Sequence, residues 1–129
     1  MRNIKDFKEV LLISTRRLSA GQERQWIIPQ GEIEPWQTPI EAGTNEAWEE
    51  AGIKGKIEKK PLASFSYKNQ CIKYIVLYYP LEVKEELRDW PEKMERSRIW
   101  INISKAKIKI RNEKLREVFE IFEKFLEKK

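Results

Sequence analysis

Residues 31–53 constrain this chain more than any other segment, because they combine a strongly capped helix with three closely spaced glutamates. Thr38 and Glu41 have the spacing of a capping box, and Pro39 suits the first position of a helix. Gly52 can adopt the left-handed conformation that commonly ends a helix. The segment therefore predicts a helix from about residue 39 to residue 51.

The three glutamates of this predicted helix are Glu46, Glu49 and Glu50. Successive helical residues turn by about 100°, so positions i, i+3 and i+4 share a face. Like charges at this spacing cost a helix about 0.2–0.5 kcal/mol per pair, and a divalent cation with oxygen ligands offsets the repulsion. Charge clusters on helices are also commonly solvated surface. The glutamates alone leave both interpretations open.

The wider pattern resembles the Nudix box, G-x5-E-x7-R-E-U-x-E-E-x-G-U, in which U is an apolar residue. The spacing is preserved without a gap, and the matching residues are Gly31, Glu46, Ala47, Glu49, Glu50, Gly52 and Ile53. Two positions depart from the pattern: Gln37 replaces the family glutamate and Asn45 replaces the family arginine. Both replacements are neutral amides, so we hypothesise that a salt bridge has been exchanged for an amide hydrogen bond between them.

The flanking residues 9–17 and 79–100 resemble the diphosphoinositol polyphosphate phosphohydrolase branch of the family and its bacterial relatives. This resemblance implies an α/β fold, a Nudix-type α/β/α sandwich with a mixed sheet. The order of predicted strands and helices along the chain favours the same architecture. Only eight residues precede Glu9, so the first strand is expected to be either shortened or missing. A trimmed sheet edge would expose backbone groups that a second copy in a homodimer could cover.

The resemblance implies an enzyme that hydrolyses a diphosphate linkage with Mg²⁺, or alternatively Mn²⁺. Substrates of such an enzyme include nucleoside diphosphate derivatives, dinucleoside polyphosphates and diphosphoinositol polyphosphates. Glu46, Glu49, Glu50 and the Gly31 carbonyl are the implied metal ligands. Glu50 is the favoured general base, although the other two glutamates stay open. The resemblance also implies a further acidic ligand from a later loop, for which the candidates are Glu82, Glu85, Glu86, Glu92 and Glu95.

Four arginines are candidates for contacts with substrate phosphates. Arg17 ends the strand that matches the family's substrate-contacting segment, Arg96 lies in the second resembling stretch, and Arg16 is a weaker candidate, as is Arg98. An arginine without a fixed partner is usually a solvated surface charge, which is the alternative for each of them.

Composition limits the chemistry that is available. The 129 residues, of which 40% are hydrophobic, are expected to form a single domain over residues 1–129. The sequence has no histidine, which excludes histidine general bases and the common zinc sites. Its one cysteine, Cys71, is expected to be a buried packing residue at the start of a strand. No apolar run is long enough to span a bilayer, and residues 1–6 lack a signal peptide's apolar stretch, so we expect a cytoplasmic protein.

The formal net charge of +5 and a sequence pI near 9.3 favour anionic small-molecule ligands. Two other functions stay open. One is a degenerate Nudix domain that binds nucleotide, polyphosphate or RNA with little hydrolysis, which Gln37 and Asn45 suggest. The other is an RNA-binding or scaffold protein that uses the basic surface.

Local patterns predict the remaining elements. Strands are expected at residues 9–14, 25–28, 56–57, 63–67, 72–79 and 98–101. Residues 82–95 are acid-rich and predict a loop, and Ser104 is expected to cap a short helix. Residues 105–111 alternate basic and apolar side chains, which indicates either a strand or a helix entry. Apolar residues at helical spacing predict an amphipathic helix over residues 112–128.

Overall fold

The computed structural model describes residues 3–4, 7–16, 23–69 and 71–128, and for residues 3, 4, 7, 8 and 69 it describes the backbone only. Its strands, in chain order, are β1 (Asn3–Ile4), β2 (Phe7–Ser14), β3 (Trp26–Ile27), β4 (Ile53–Ile57), β5 (Ala63–Asn69), β6 (Ile72–Tyr78), β7 (Leu81–Glu86) and β8 (Arg98–Asn102). The helices are α1 (Pro39–Glu46), which continues as a π-helical turn (Ala47–Ala51), then α2 (Ile103–Lys109) and α3 (Glu113–Glu127).

Strand β2 lies at the centre of the fold and is covered on both faces. Side chains alternate between the two faces of a strand. Val10 and Leu12 pack in a cluster with α2 and α3, whereas Leu11 and Ile13 pack with the π-helical turn and β4. A near-continuous apolar run is what a strand buried on both faces requires. The predicted α/β fold with helices on both sides of the sheet is therefore confirmed.

Strand β2 pairs with β1, β3 and β8. Two further ladders join β4 to β7 and β5 to β6. All the pairs recorded between described strands are antiparallel. Strand β1 pairs only Asn3 with Lys8 and Ile4 with Phe7. Of the two alternatives for the first strand, the described residues thus show the shortened one.

The prediction of a loop over residues 82–95 is wrong in its first part. Leu81–Glu86 forms β7, which pairs with β4 along its length. Acidic residues are depleted in strands, and their abundance here hid the alternation of Leu81 and Val83. Tertiary pairing outweighs that weak local preference. Residues 87–97 form the loop that remains, with a run of turns at residues 91–95.

Three further predictions concern helices α3 and α2 and the cysteine at the turn between β5 and β6. Helix α3 is confirmed, and Asn112 caps it by accepting a hydrogen bond from the Leu115 N–H. The cap of α2 is Asn102, which accepts from the Lys105 N–H, so the prediction of Ser104 as the cap is wrong. Cys71 is exposed beside the turn between β5 and β6, so its predicted burial is wrong as well. No helix in the described part of the chain is long and apolar enough to cross a membrane.

Gly55 lies where the register between β4 and β7 shifts, and a side chain there has no room. A Cβ at this position would overlap the backbone carbonyl of Glu82. We expect Gly55→Ala to lower the free energy of unfolding by about 2–3 kcal/mol and Tm by several degrees. Thermal and denaturant unfolding measure the effect. Gly43→Ala is the matched control, because its Cβ would meet Ile57 at an ordinary 3.5 Å and alanine favours a helix by about 0.5–1 kcal/mol. Equal stability changes in the two variants would contradict the interpretation.

Candidate functional site

Helix α1 begins and ends at residues that the sequence predicts. The Thr38 hydroxyl accepts from the Glu41 N–H at 3.1 Å, and the Glu41 carboxylate accepts from the Thr38 N–H at 2.8 Å. At the other end Gly52 has a φ of 65°, the left-handed conformation that favours glycine. The last turn, which carries Glu49 and Glu50, is π-helical. Such turns occur frequently at functional sites.

Glu50 is a buried carboxylate, with 5% of its surface exposed. Its Oε1 accepts a hydrogen bond from the Gln30 N–H at 3.2 Å and lies 3.8 Å from a guanidinium nitrogen of Arg96. Burial, followed by a hydrogen bond with the Glu46 carboxyl, raises the pKa of Glu50 to about 8, against the opposing effects of Gln30 and Arg96. A buried carboxyl close to a second carboxyl is therefore the central feature of the site.

Glu46 and Gly31 complete this group. A Cβ at Gly31 would overlap the carboxyl group of Glu46, so the glycine backbone lies directly against that side chain. Glu46 in turn hydrogen-bonds to Glu50. Three of the residues that the sequence analysis placed in a metal site, Gly31, Glu46 and Glu50, are thus brought together by the loop before α1 and the end of the helix.

Glu49 has a different environment. Its Oε1 accepts a hydrogen bond from the side-chain amide of Asn45 at 3.1 Å. Within residues 3–4, 7–16, 23–69 and 71–128, no group of three or more acidic or thiol side chains is arranged to hold a metal ion. The predicted three-glutamate cluster is therefore formed only in part. The π-helical turn changes the angular spacing that an α-helix would give these positions.

The hypothesis of an amide hydrogen bond between Gln37 and Asn45 is not supported. The Gln37 side-chain oxygen accepts from the Glu34 N–H at 3.0 Å, whereas Asn45 donates to Glu49. The Gln37 amide thus closes the loop before α1, and the Asn45 amide holds Glu49.

Arg96 is buried, since only 10% of its side chain is accessible. It therefore contacts other groups of the protein and is not exposed to bind a phosphate. Its guanidinium donates to Glu92 at 2.7 Å and to the Ser14 carbonyl at 3.1 Å, in addition to facing Glu50. It thereby ties the end of β2 to the buried carboxylates.

Arg16 pairs with Glu92 at 3.0 Å and Glu95 at 3.4 Å, and 57% of its side chain is exposed. Arg98 donates to the carbonyls of Ala51 and Leu87 at 2.8 and 2.6 Å, and therefore fixes the end of the π-helical turn. Arg17 lies outside the described residues.

The sequence analysis missed Trp90 and did not single out Glu92 among its five acidic candidates. Trp90 donates its indole N–H to the Glu50 carbonyl at 3.2 Å, and its ring lies against Gly52. Glu92 joins Arg16 to Arg96. Burial opposes ionisation of Glu92, but hydrogen bonds from both arginines outweigh it and hold the pKa of this carboxyl below its usual value. Glu92 was one of five equal candidates, and no local signal distinguished it from the others.

A model of the NUDIX domain family matches residues 3–122. The chain belongs to the Nudix family. The sequence-based recognition is thus confirmed, and the glutamates described above lie in the family's characteristic helix.

Curated Nudix relatives share about a third of the sequence. Nudix hydrolase 13, mitochondrial, of Arabidopsis thaliana is 32% identical over 118 residues, which cover 81% of this chain and 57% of that protein. Diphosphoinositol polyphosphate phosphohydrolase 2 of Rattus norvegicus is 39% identical over 100 residues, which cover 76% of this chain and 52% of that protein. The chain therefore spans little more than half the length of these relatives.

Solved structures show the same fold at low sequence identity. A NUDIX hydrolase from Nitrosomonas europaea superposes with a TM-score of 0.75 at 18% identity, covering 92% of this chain and 82% of that one. A binary complex of a C. elegans Ap4A hydrolase has a TM-score of 0.66 at 18% identity, covering 94% of this chain and 88% of that one.

The Glu46–Glu50 contact predicts that the metal-free protein gains stability from Glu50→Gln. The pKa of Glu50 is raised to about 8 from 4.5, so the contribution of the neutral carboxyl is complete below about pH 4.5 and is lost as the pH rises through 8. With a chelator present, we expect the Tm advantage of Glu50→Gln over wild type to grow between about pH 4.5 and pH 8 and to level off above pH 8. Differential scanning calorimetry measures it.

Glu49→Gln is the matched control for this experiment, because it removes one carboxylate from the adjacent position. A pH-dependent gain of the same size in both variants would mean that net charge, and not the environment of Glu50, causes the effect.

Proposed function

We propose that this chain is a Mg²⁺-dependent Nudix hydrolase that cleaves a diphosphate linkage in a small phosphorylated substrate. The observation that carries the proposal is the hydrogen-bonded Glu46–Glu50 pair, which is held against the Gly31 backbone at the end of the Nudix helix. Two acidic groups in contact within a partly buried site are favourable when they share a proton or a cation.

The donor set fits a divalent cation. Magnesium prefers hard oxygen ligands and commonly keeps several waters, so it is bound by one or two carboxylates together with substrate phosphates. Glu46, Glu50 and the Gly31 carbonyl are the groups that would hold the ion, and Glu49 is the further candidate beside them. When bound, the metal supplies charge neutralisation for phosphate oxygens and lowers the pKa of an attacking water. Mn²⁺ satisfies the same oxygen ligands.

The chain's own residues provide the base and its orientation. Glu50 is the proposed general base, since its burial and the Gln30 N–H at one of its oxygens hold this carboxylate in a fixed position. Arg96 positions this carboxylate by its charge and leaves little of its own surface for substrate. Among the predicted arginines that the structure describes, Arg16 is the most exposed and is the candidate for a phosphate contact, and Arg17 stays a prediction.

The decisive experiment compares Mg²⁺-dependent turnover of wild type and Glu50→Gln. The panel contains a dinucleoside polyphosphate, a diphosphoinositol polyphosphate and ADP-ribose. Loss of a general base typically lowers the rate by about 10²–10⁴-fold, so we expect a reduction of kcat by at least 100-fold for whichever substrate is hydrolysed. Product release is followed by phosphate detection and anion-exchange chromatography.

Glu32→Gln is the control variant, because Glu32 is exposed in the same loop as Gly31. Its kcat should match wild type within about twofold. Full activity of Glu50→Gln would overturn the assignment of the base.

A degenerate binding domain is the second candidate, and Asn45 is the observation that favours it. An arginine stands at this position in the family pattern, whereas the amide of Asn45 holds Glu49 by a hydrogen bond. If wild type is inactive with every substrate and metal, turnover that appears in Asn45→Arg would identify the chain as such a domain.

A further inference from the structure

A cleft of about 340 Å³ adjoins the Glu50 site. Gln30 joins the two, because it is one of the residues that line the cleft and its backbone N–H donates to Glu50. Thr15 and Gln25, which hydrogen-bond to each other between the ends of β2 and β3, form a second part of the wall. The volume is within the range of about 300–1,000 Å³ that is usual for small-molecule sites. A group attached to a phosphate at Glu50 would therefore reach this cleft.

The far wall of the cleft is aromatic. Tyr67 and Tyr74 lie opposite each other on β5 and β6 and stack with ring centroids 5.4 Å apart at an interplanar angle of 14°. The Tyr67 hydroxyl is 3.3 Å from that of Tyr78, which is buried, and burial raises the pKa of Tyr78 above its usual value. Tyr74 is 47% exposed, so part of its ring remains accessible. The three phenols provide flat apolar surface together with hydrogen-bonding groups.

Besides Thr15 and the tyrosine hydroxyls, the polar residues of the cleft carry side-chain amides. Those of Gln25, Gln30 and Asn112 line it, and the Asn112 oxygen is used as the cap of α3, which leaves its NH₂ group as a donor. Ile27, Val76 and Leu115 supply apolar surface. None of the described residues that line the cleft carries a charge.

This chemistry distinguishes between the substrate classes of the proposed function. A polyphosphorylated inositol presents several phosphates and needs lysines or arginines around it, since desolvated anions require charged partners. A nucleobase is uncharged and planar, stacks on aromatic rings and exchanges hydrogen bonds with amides. A second cleft, of about 550 Å³, is lined by Lys56, Lys59 and Lys60 among other residues, but it shares no lining residue with the Glu50 site.

We propose that the tyrosine- and amide-lined cleft binds the nucleobase of a nucleoside diphosphate derivative or dinucleoside polyphosphate, with Tyr74 as the stacking surface. The proposal rests on the proposed function, because it specifies the substrate class of the same site. Nucleotides, and not diphosphoinositol polyphosphates, are then the substrates.

The test measures kcat and KM for a dinucleoside polyphosphate and a diphosphoinositol polyphosphate in wild type, Tyr74→Ala and Tyr74→Phe. Stacking of a base on an aromatic ring is worth between about 5-fold and 100-fold in affinity. We expect wild type to prefer the nucleotide, Tyr74→Ala to raise its KM about tenfold or more with little change in kcat, and Tyr74→Phe to behave as wild type. Ile75→Ala is the control, because Ile75 is exposed on the same strand and does not line the cleft.

Calorimetry of nucleoside monophosphate binding to the Glu50→Gln variant tests the nucleobase site independently of the hydrolase assignment. A lower affinity in the Glu50→Gln, Tyr74→Ala double variant supports the nucleobase site even if no substrate is hydrolysed. Only the hydrolase assignment then fails. If Tyr74→Ala hydrolyses the nucleotide with an unchanged KM, the nucleobase site is overturned and the hydrolase assignment stands. A wild-type preference for the diphosphoinositol polyphosphate would also overturn the nucleobase site.

Discussion

The burial of the Glu50 carboxyl is the constraint on which the rest of the site depends. Removing an ionised carboxylate from water is costly unless hydrogen bonds and opposite charges replace the solvent. Here the Gln30 N–H and the Arg96 guanidinium provide part of that compensation, while Glu46 works against it. The site is therefore destabilised by its own acidic groups in a way that a cation would relieve. The carboxyl groups that would bind a cation therefore lower the stability of the cation-free protein.

Residues 87–97 hold this arrangement together from outside the helix. The Leu87 N–H donates to the Gly52 carbonyl, Trp90 donates to the Glu50 carbonyl, and the Glu92 N–H donates to the Glu49 carbonyl. The last carbonyls of a helix lack partners within it, and this loop supplies them. Glu92 also joins Arg16 and Arg96 in an ion-pair network that reaches the end of β2. This loop is thus a structural support for the glutamates.

The same geometry connects the reactive groups to the surface that would recognise a substrate. Gln30 donates its backbone N–H to Glu50 and also lines the tyrosine-lined cleft. Family membership defines the helix and its glutamates, but neighbouring side chains decide which molecule is brought to them. A fold hosts many functions, and specificity is argued from the site.

The sequence by itself determined the features that depend on short-range contacts. The caps of α1 at Thr38 and Gly52 and the amphipathic pattern of α3 are fixed by residues three or four positions apart, as are the order and spacing of the glutamates. Only the tertiary structure decided that Arg96 is buried against Glu50 and that β7 pairs with β4. It also brought Gln30, Tyr74 and Asn112 to one cleft. These contacts join residues whose side-chain directions depend on packing, and no local pattern of hydrogen bonds or periodicity encodes them.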